Sequence, residues 1–355
     1  MSRVAIYAAS YADCQQAVRK AFEDFPLDVA GKRVLVKPNV LRRAEPEEGI
    51  TTHPAVLQAV LRELEERGAG EIIVGDNPGG GGENREAFEA SGLLAVAGRY
   101  YRNIGSDVRE VPFSPRFGGK VVVSTAVLEA DVVLSLPKLK THGLTGLTCA
   151  IKNCYGYIPG RQKADLHVRA GNPYAFAEML VDVFSIRVPD LYIVDAVLAM
   201  EGNGPVSREL RYVGRLLAAR DGVALDRVVG EMMGIGYDML RSVELAAERG
   251  LGVGDLDRIE LLGDLQSLEG WRLPERFATE DPSALRAAMR TAHKRKLFLP
   301  KVDPARCSLC GNCVAECPAA ALTMAEYPEV RPKACVTCYC CQELCPEKAI
   351  QLTEV

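Results

Sequence analysis

Short apolar runs alternate with amphipathic helical patterns along most of the chain. The strand-like runs are, in order, RVAIYAA, RVLVKPN, EIIVGD, VVLSLP, LYIVDAVL and LLAAR. Helical patterns separate the first three runs, and further helices are predicted near residues 174–184, 224–233 and 237–248. In the helix after THP, Pro54 suits the first turn and apolar residues recur every three or four positions. This alternation predicts an α/β fold with a doubly wound, mostly parallel sheet, although it leaves the strand order open.

Polar side chains follow several of the predicted strands at the points where the strands end. These side chains are Lys37, Asn39, Asp76, Asp195, Glu201 and Asn203. In open α/β sheets, ligands bind outside the carboxyl ends of the strands, so these groups are expected to converge on one site. We assign Glu201 a catalytic role and the other five a role in binding a cofactor or ligand. The glycine-rich run after Asp76 matches neither common nucleotide-binding glycine pattern and is interpreted as a flexible turn.

The stretch PKLKTHGLTGLTCAIKNCYG places three lysines and a histidine among glycines, threonines and apolar residues. Lys138 and Lys140 alternate along a strand end and are expected to point to the same side, before a loop that carries His142. Ammonium groups 4 Å apart repel by about 1 kcal/mol per pair even in water. We therefore predict an anion-binding pocket, with a self-contained network of ion pairs as the alternative. In this pocket the two strand lysines and His142 are catalytic, and Lys152 and Asn153 bind the ligand.

The overall charge is nearly balanced, with 43 Lys and Arg against 47 Asp and Glu and a net charge of -4. A nucleic-acid-binding protein would usually carry a strongly basic domain, so this class is excluded. Polar residues interrupt the N-terminal stretch too often for a signal peptide, and the chain has no uncharged apolar run of about 18 residues. The expected location is therefore the cytoplasm, without a membrane or nucleic-acid partner.

Nine of the twelve cysteines lie in two runs near the end of the chain, CSLCGNCVAECP and CVTCYCCQELCP, and eight of the nine match in position between the runs. The second run repeats the cysteine spacing of the first after 28 residues. Three thiolates spaced C-x2-C-x2-C bind one [4Fe-4S] cluster, and the fourth, which precedes a proline, ligates the neighbouring cluster. One predicted quartet is Cys307, Cys310, Cys313 and Cys345, and the other is Cys335, Cys338, Cys341 and Cys317.

Two [4Fe-4S] clusters are favoured over zinc as the cofactors. A zinc ribbon would use two C-x2-C pairs and would give no reason for the third cysteine or the C-x3-C-P step. Cys340, next to the ligand Cys341, is interpreted as a spectator. Because four thiolates saturate each cluster and leave no open iron, electron relay is expected, with a purely structural role as the alternative.

The cysteine-rich tail resembles bacterial two-cluster ferredoxins over residues 301–355, which implies a small α+β domain with the element order βαββαβ. Upstream, the segments KPN, THP, GDNPG, PKLKTHGLTGLTCAIKNCYG, MEGNGP and ARDGVALDRVVGEMMGIG resemble the domain of unknown function 362 (DUF362) family over about residues 1–250. That family is often fused to a ferredoxin tail, so the resemblance implies iron–sulfur redox chemistry without naming a substrate. GDNPG departs from the commoner GDSPG, so no hydroxyl-dependent role is carried over to this loop.

These observations predict an α/β domain over residues 1–254, a connecting segment with a short basic helix over 255–300, and a ferredoxin domain over 301–355. The leading hypothesis is an iron–sulfur oxidoreductase whose clusters exchange electrons with an anionic substrate or cofactor in the lysine-rich pocket. A redox protein is a further expected partner. One alternative is a non-enzymatic electron carrier or redox-responsive protein that docks a partner enzyme. Another is an isomerase or lyase in which the clusters are structural.

Overall fold

Each predicted strand forms in the computed structural model, which describes residues 1–79, 84–160, 162–275, 277–278, 283, 298–317, 319–336, 338 and 340–354. The strands are β1 (Ser2–Ala8), β2 (Arg33–Pro38), β3 (Glu71–Val74), β4 (Val108–Pro112), β5 (Lys120–Ser124), β6 (Val132–Leu136), β7 (Lys138–His142), β8 (Gly146–Thr148), β9 (Leu191–Met200), β10 (Leu210–Ala219), β11 (Ile259–Leu262), β12 (Phe298–Val302), β13 (Leu322–Met324), β14 (Pro328–Val330) and β15 (Ile350–Glu354).

Helices connect most of these strands. The α-helices are α1 (Cys14–Asp24), α2 (Pro54–Glu66), α3 (Asn84–Ala90), α4 (Leu93–Ala97), α5 (Thr125–Glu129), α6 (Ala150–Asn153), α7 (Gln162–Ala170), α8 (Pro173–Ile186), α9 (Gly222–Met232), α10 (Arg241–Glu248), α11 (Asn312–Ala315) and α12 (Cys340–Glu343). The short 3₁₀ turns are Pro46–Glu48, Gly98–Tyr100, Pro115–Phe117, Cys154–Tyr157, Tyr237–Met239 and Leu256–Arg258.

The main sheet is mostly parallel, as the alternation of strands and helices predicted. Its strands follow the order β11-β1-β10-β9-β6-β2-β3, with β7 paired to β9 and β8 paired to β7. β10 runs antiparallel to β1 and β9, and β8 runs antiparallel to β7. The other pairs of this sheet are parallel. The α/β fold class is therefore confirmed.

Helices cover both faces of this sheet, each face with its own apolar core. Along β2, Val34 and Val36 belong to the core that includes α1 and α2, whereas Leu35 belongs to the core that includes α8 and α9. Successive side chains of a strand point to opposite faces, so a strand covered on both sides is mainly apolar. This is why the predicted strands read as continuous apolar runs that end abruptly in polar residues.

One predicted helix is interrupted. We expected a continuous helix over residues 237–248, but Leu240 separates a 3₁₀ turn from α10 with a non-helical backbone (φ -93°, ψ 66°). The Leu240 side chain is fully buried against α9, where a Cβ added at Gly230 would lie 2.3 Å from Leu240 Cδ1. The break therefore coincides with close packing between two helices, which the periodicity of the sequence does not encode.

The tail has the βαββαβ order that its resemblance to two-cluster ferredoxins implied. β12 pairs with β15 and β13 pairs with β14, both antiparallel, while α11 and α12 follow β12 and β14 in the chain. Cys340 and Leu344 share an apolar cluster with Ile50 and Met200 of the α/β part. Helix α12 therefore packs directly on the main domain, close to the end of β9.

Two sequence-based predictions fall outside the described residues. They are the glycine run after Gly79 and the basic helix of the connecting segment. The three domain boundaries stay predictions. Among the residues that are described, no helix is both long enough and apolar enough to cross a bilayer.

Candidate functional site

A cavity of about 70 Å³ lies where the carboxyl ends of β2 and β3 meet the tail. Lysines from β7, α6 and α7 line it, and α12 of the tail borders it with Cys340 and Glu343. The stretch that was expected to continue from a strand end into a loop at His142 forms β7 and β8, which hold part of the lining on the edge of the sheet. Five of the residues predicted to bind a ligand or act in catalysis line this cavity, namely Asn39, Asp76, Lys140, Lys152 and Asn153.

Three ammonium groups line the cavity in surroundings that disfavour their charge. Lys140 is only 1% exposed, and its Nζ donates to Ile50 O at 2.7 Å. Burial, followed by the charge of Lys152, holds the pKa of Lys140 well below its usual value. Burial also lowers the pKa of Lys152. It lowers the pKa of Lys163 to about 7. Negative charge in the cavity would favour the protonated form of all three.

One wall of the cavity is a self-contained polar network. Lys37 is fully buried, pairs with Asp76 (Nζ to Oδ1, 2.7 Å) and donates to Asn153 Oδ1 at 3.1 Å. Asp76 Oδ2 accepts from Val40 N at 2.8 Å. A Cβ added at Gly156 would lie 2.0 Å from Asp76 Oδ1, so only glycine lets the backbone pass this pair. Lys37 and Asp76 therefore neutralise each other and shape the wall.

Lys138 does not line the cavity, although alternation along the strand predicted that it would lie beside Lys140. The register of β7 against β9 is irregular, with Lys138 opposite Asp195 and Lys140 opposite Met200. Lys138 Nζ lies 2.8 Å from Asp195 Oδ2 and 2.8 Å from Tyr11 Oη, and both charged side chains are fully buried. The two lysines thus have different partners, and Asp195 is committed to Lys138 rather than to a ligand in the cavity.

Glu201 and Asn203 hold the connecting segment and lie outside the cavity lining. The Glu201 carboxylate is 3% exposed and pairs with Arg211 at 3.1 Å and Arg272 at 2.9 Å. Asn203 donates to Glu275 Oε1, and Glu275 N donates back to Asn203 Oδ1. Two guanidinium groups therefore balance Glu201, and the structure does not bring it to the shared site at which a catalytic role was predicted.

His142 is fully buried at the end of β7 and is not part of the cavity lining. Its Nδ1 accepts from Leu144 N at 3.1 Å, and its Nε2 has no hydrogen-bond partner among the described residues. Burial, followed by the charge of Lys152, holds the pKa of His142 well below its usual value. Burial therefore keeps the ring neutral, and His142 lies outside the cavity in which a catalytic role was predicted for it.

Sequence reasoning missed Lys163, His167 and Glu343, which line the cavity. Helix α7 reads QKADLHVRA, a mixed pattern typical of a solvated helix, yet Lys163 is only 6% exposed. The His167 ring packs 4.2 Å from that of Phe176, and burial lowers the pKa of His167 to about 3. Glu343 reaches the cavity only through packing of the tail on the main domain. No local pattern signals such a long-range contact.

The predicted cluster cysteines surround two small cavities of about 20 Å³ each. Cys307, Cys310, Cys313 and Cys345 line one, and Cys317, Cys335, Cys338 and Cys341 line the other. Ala321 N donates to Cys317 Sγ at 3.2 Å, and Ala349 N donates to Cys345 Sγ at 3.3 Å, so the sequence repeat is also a repeat of hydrogen bonds. Four thiols around one cavity fit the donor set of a [4Fe-4S] cluster.

Comparison with known proteins finds matches in both parts of the chain. A family model described as "Domain of unknown function (DUF362)" matches residues 34–231, which is more than half of the chain. A model described as "4Fe-4S dicluster domain" matches residues 299–346. A curated protein of Synechocystis sp., named as thylakoid-associated, is 34% identical over 261 residues, covering 69% of this chain and 77% of that protein.

Solved structures show more distant similarity. The lactate racemase apoprotein from Thermoanaerobacterium thermosaccharolyticum is 14% identical with a TM-score of 0.40, covering 70% of this chain and 57% of the racemase. A structural-genomics protein from Thermotoga maritima is 15% identical with a TM-score of 0.38, covering 68% of this chain and 58% of that protein. The chain thus spans less than two thirds of the length of either solved structure.

Proposed function

The chain belongs to the DUF362 family, and from this premise we propose that it is an iron–sulfur oxidoreductase. The tail binds two [4Fe-4S] clusters, which supply one-electron transfer, and the cavity binds an anionic substrate or cofactor. The match to a 4Fe-4S dicluster domain and the two cysteine-lined cavities support the clusters. A redox protein as electron partner and a cytoplasmic location are part of the same proposal.

The observation that carries this proposal is that α12 belongs to both sites. Its residues Cys340 and Glu343 line the cavity that contains Lys140, Lys152 and Lys163, which we call the lysine cavity. Cys341 of the same helix lines one of the two cysteine cavities. A ligand in the lysine cavity and a cluster held by Cys341 would therefore both contact this four-residue helix. Such proximity suits electron transfer between a bound ligand and the tail.

The charges of the lining residues favour an anion as the ligand. Lys37 and Asp76 cancel, which leaves Lys140, Lys152 and Lys163 against Glu343. Three positive charges and one negative charge leave a net charge of about +2 when the lysines are protonated. The ammonium groups would bind the anion and stabilise the negative charge that develops on it as electrons arrive.

Lys140→Met is expected to slow electron transfer between the tail and the ligand by about 100-fold. This is the usual effect of removing one preorganised group that stabilises developing charge. Small molecules released from anaerobically purified protein are added back to dithionite-reduced protein, and reoxidation is followed by cluster absorbance. Lys120→Met is the matched control, because that lysine is 68% exposed and pairs with Glu110 on the surface. A Lys140→Met protein with wild-type iron content and a wild-type reoxidation rate would contradict the proposal.

Anion binding is expected to weaken as the pH rises above about 7, by up to tenfold per pH unit for each proton taken up. Burial lowers the pKa of Lys163 to about 7, with Asp76 opposing this shift and Lys37 and Lys152 adding to it. A bound anion raises that pKa again, so binding takes up a proton. Calorimetry in buffers of different ionisation enthalpy measures this uptake. Lys163→Met should reduce the uptake, and an uptake that this change leaves intact would exclude Lys163 as its source.

A second candidate function is a non-enzymatic electron carrier that docks a partner enzyme. Leu309 and Met324 favour it, because they are 52% and 45% exposed in the tail and Leu309 adjoins the cluster cysteine Cys310. Exposed apolar side chains beside a redox centre suit contact with another protein. The Lys140 experiment separates the two functions, since a simple carrier would transfer electrons to an external protein equally well without the lysine.

A further inference from the structure

Two buried polar atoms on residues of the cavity lining have no hydrogen-bond partner within the part of the chain that the structure describes. They are Asn39 Oδ1 and Thr148 Oγ1, on residues that are 9% and 3% exposed. The backbone N–H of Asn39, in contrast, is satisfied by Leu136 O and Thr52 Oγ1. Leaving a buried polar group unpaired is costly, so these two side chains indicate that a ligand completes their hydrogen bonds.

The chemistry of these atoms and of the lysines restricts the ligand. An amide oxygen such as Asn39 Oδ1 can only accept, whereas the ammonium groups of Lys140 and Lys152 can only donate. The Thr148 hydroxyl can do either. A ligand that satisfies them all must offer several acceptor oxygens to the lysines and at least one donor to Asn39. A fully deprotonated oxyanion offers no donor, so it would leave Asn39 Oδ1 unpaired.

The size of the cavity restricts the ligand further. Its volume of about 70 Å³ is on the order of five or six waters at ~12 Å³ each. The cavity therefore suits a ligand of a few heavy atoms.

We propose that the cavity binds a small oxyanion that keeps one O–H group, of the size of hydrogen phosphate. The charged oxygens accept from Lys140, Lys152 and the Thr148 hydroxyl, and the O–H donates to Asn39 Oδ1. This proposal rests on the proposed function for the anionic nature of the ligand. The proposal adds to that function by specifying that the molecule bound beside the tail is a small oxyacid and not an organic cofactor.

Phosphate and sulfate are the probes that test this proposal, because they share size and tetrahedral shape but only phosphate keeps an O–H at neutral pH. Their binding is measured by calorimetry on the full chain, with its clusters reconstituted anaerobically and left oxidised. The wild type is expected to bind phosphate at least about tenfold more tightly than sulfate, because sulfate leaves the buried amide oxygen unpaired. Lys140→Met should lose both ligands, and Lys120→Met should lose neither.

Two further variants separate selectivity from folding. Asn39→Leu removes the acceptor at similar size and should bring the phosphate-to-sulfate ratio close to one. Thr148→Val should weaken the binding of both anions about equally and keep the ratio.

The proposal is overturned if neither anion binds at millimolar concentration, if the wild type does not discriminate between them, or if discrimination survives in a folded Asn39→Leu protein. The measurement involves no electron transfer. A failure here would leave the proposed redox function standing, and a failure of the Lys140 reoxidation test would leave this binding result standing.

Discussion

Cys341→Ala is expected to remove about half of the iron from the anaerobically reconstituted chain, from about eight irons to about four. Cys341 lines one of the two cysteine cavities together with Cys317, Cys335 and Cys338. Loss of one of four thiolates opens that site, whereas the other quartet keeps all of its ligands. Iron and sulfide analysis measures the loss, and electron paramagnetic resonance of the reduced protein should change from two interacting centres to one.

Cys340→Ala is the matched control for this experiment. Cys340 is also buried and directly precedes Cys341, but it lines the lysine cavity and no cysteine cavity. This variant should keep about eight irons if the thiol is a spectator. Equal iron loss in both variants, or full iron content in Cys341→Ala, would overturn the assignment of the quartet.

Asp195→Leu is expected to lower the free energy of unfolding by about 3–5 kcal/mol, the usual cost of breaking a buried ion pair. Asp195 accepts hydrogen bonds from Lys138 Nζ at 2.8 Å, Tyr11 Oη at 3.1 Å and His53 N at 2.9 Å. Its removal leaves the buried ammonium group of Lys138 without a counter-charge. Urea denaturation, followed by circular dichroism, measures the change.

The double variant Lys138→Met/Asp195→Leu tests whether the pair acts as one unit. It removes both charges, so it should recover a large part of the stability that either single change loses. A double variant that loses the sum of the two single effects would show that the groups do not depend on each other. Phosphate binding that persists in a folded double variant would indicate that Lys138 stabilises the packing of β7 against β9 and takes no part in binding the ligand.

Much of the fold could be predicted from the sequence because the main sheet is covered on both faces. Strands such as β2 have an apolar run, here Val34 to Val36, that is followed by a polar residue, so their positions and the α/β class follow from the pattern alone. The antiparallel insertion of β10 between β1 and β9 could not be predicted, since strand order depends on pairing between distant segments. The break at Leu240 has the same origin, because it arises where α10 packs on α9.

The candidate site was predictable in part for a related reason. The carboxyl ends of parallel strands share one edge of the sheet, and this rule brings Asn39 and Asp76 to the cavity. It fails for Glu201, whose partner Arg272 comes from the connecting segment, 71 residues further along the chain. It also cannot foresee that burial suppresses protonation of His142, or that Glu343 of the tail borders the cavity. Those features depend on tertiary contacts.

The position of α12 between the lysine cavity and the Cys341 quartet would couple the redox state of the cluster to the affinity for the ligand in the proposed enzyme. Each electron that reaches the adjacent cluster adds a negative charge near the oxyanion and should weaken its binding. Thermodynamic reciprocity then requires that a bound oxyanion make this cluster harder to reduce by the same free energy. Occupancy of the cavity would thus tune the midpoint potential of the tail, and reduction of the tail would promote ligand release.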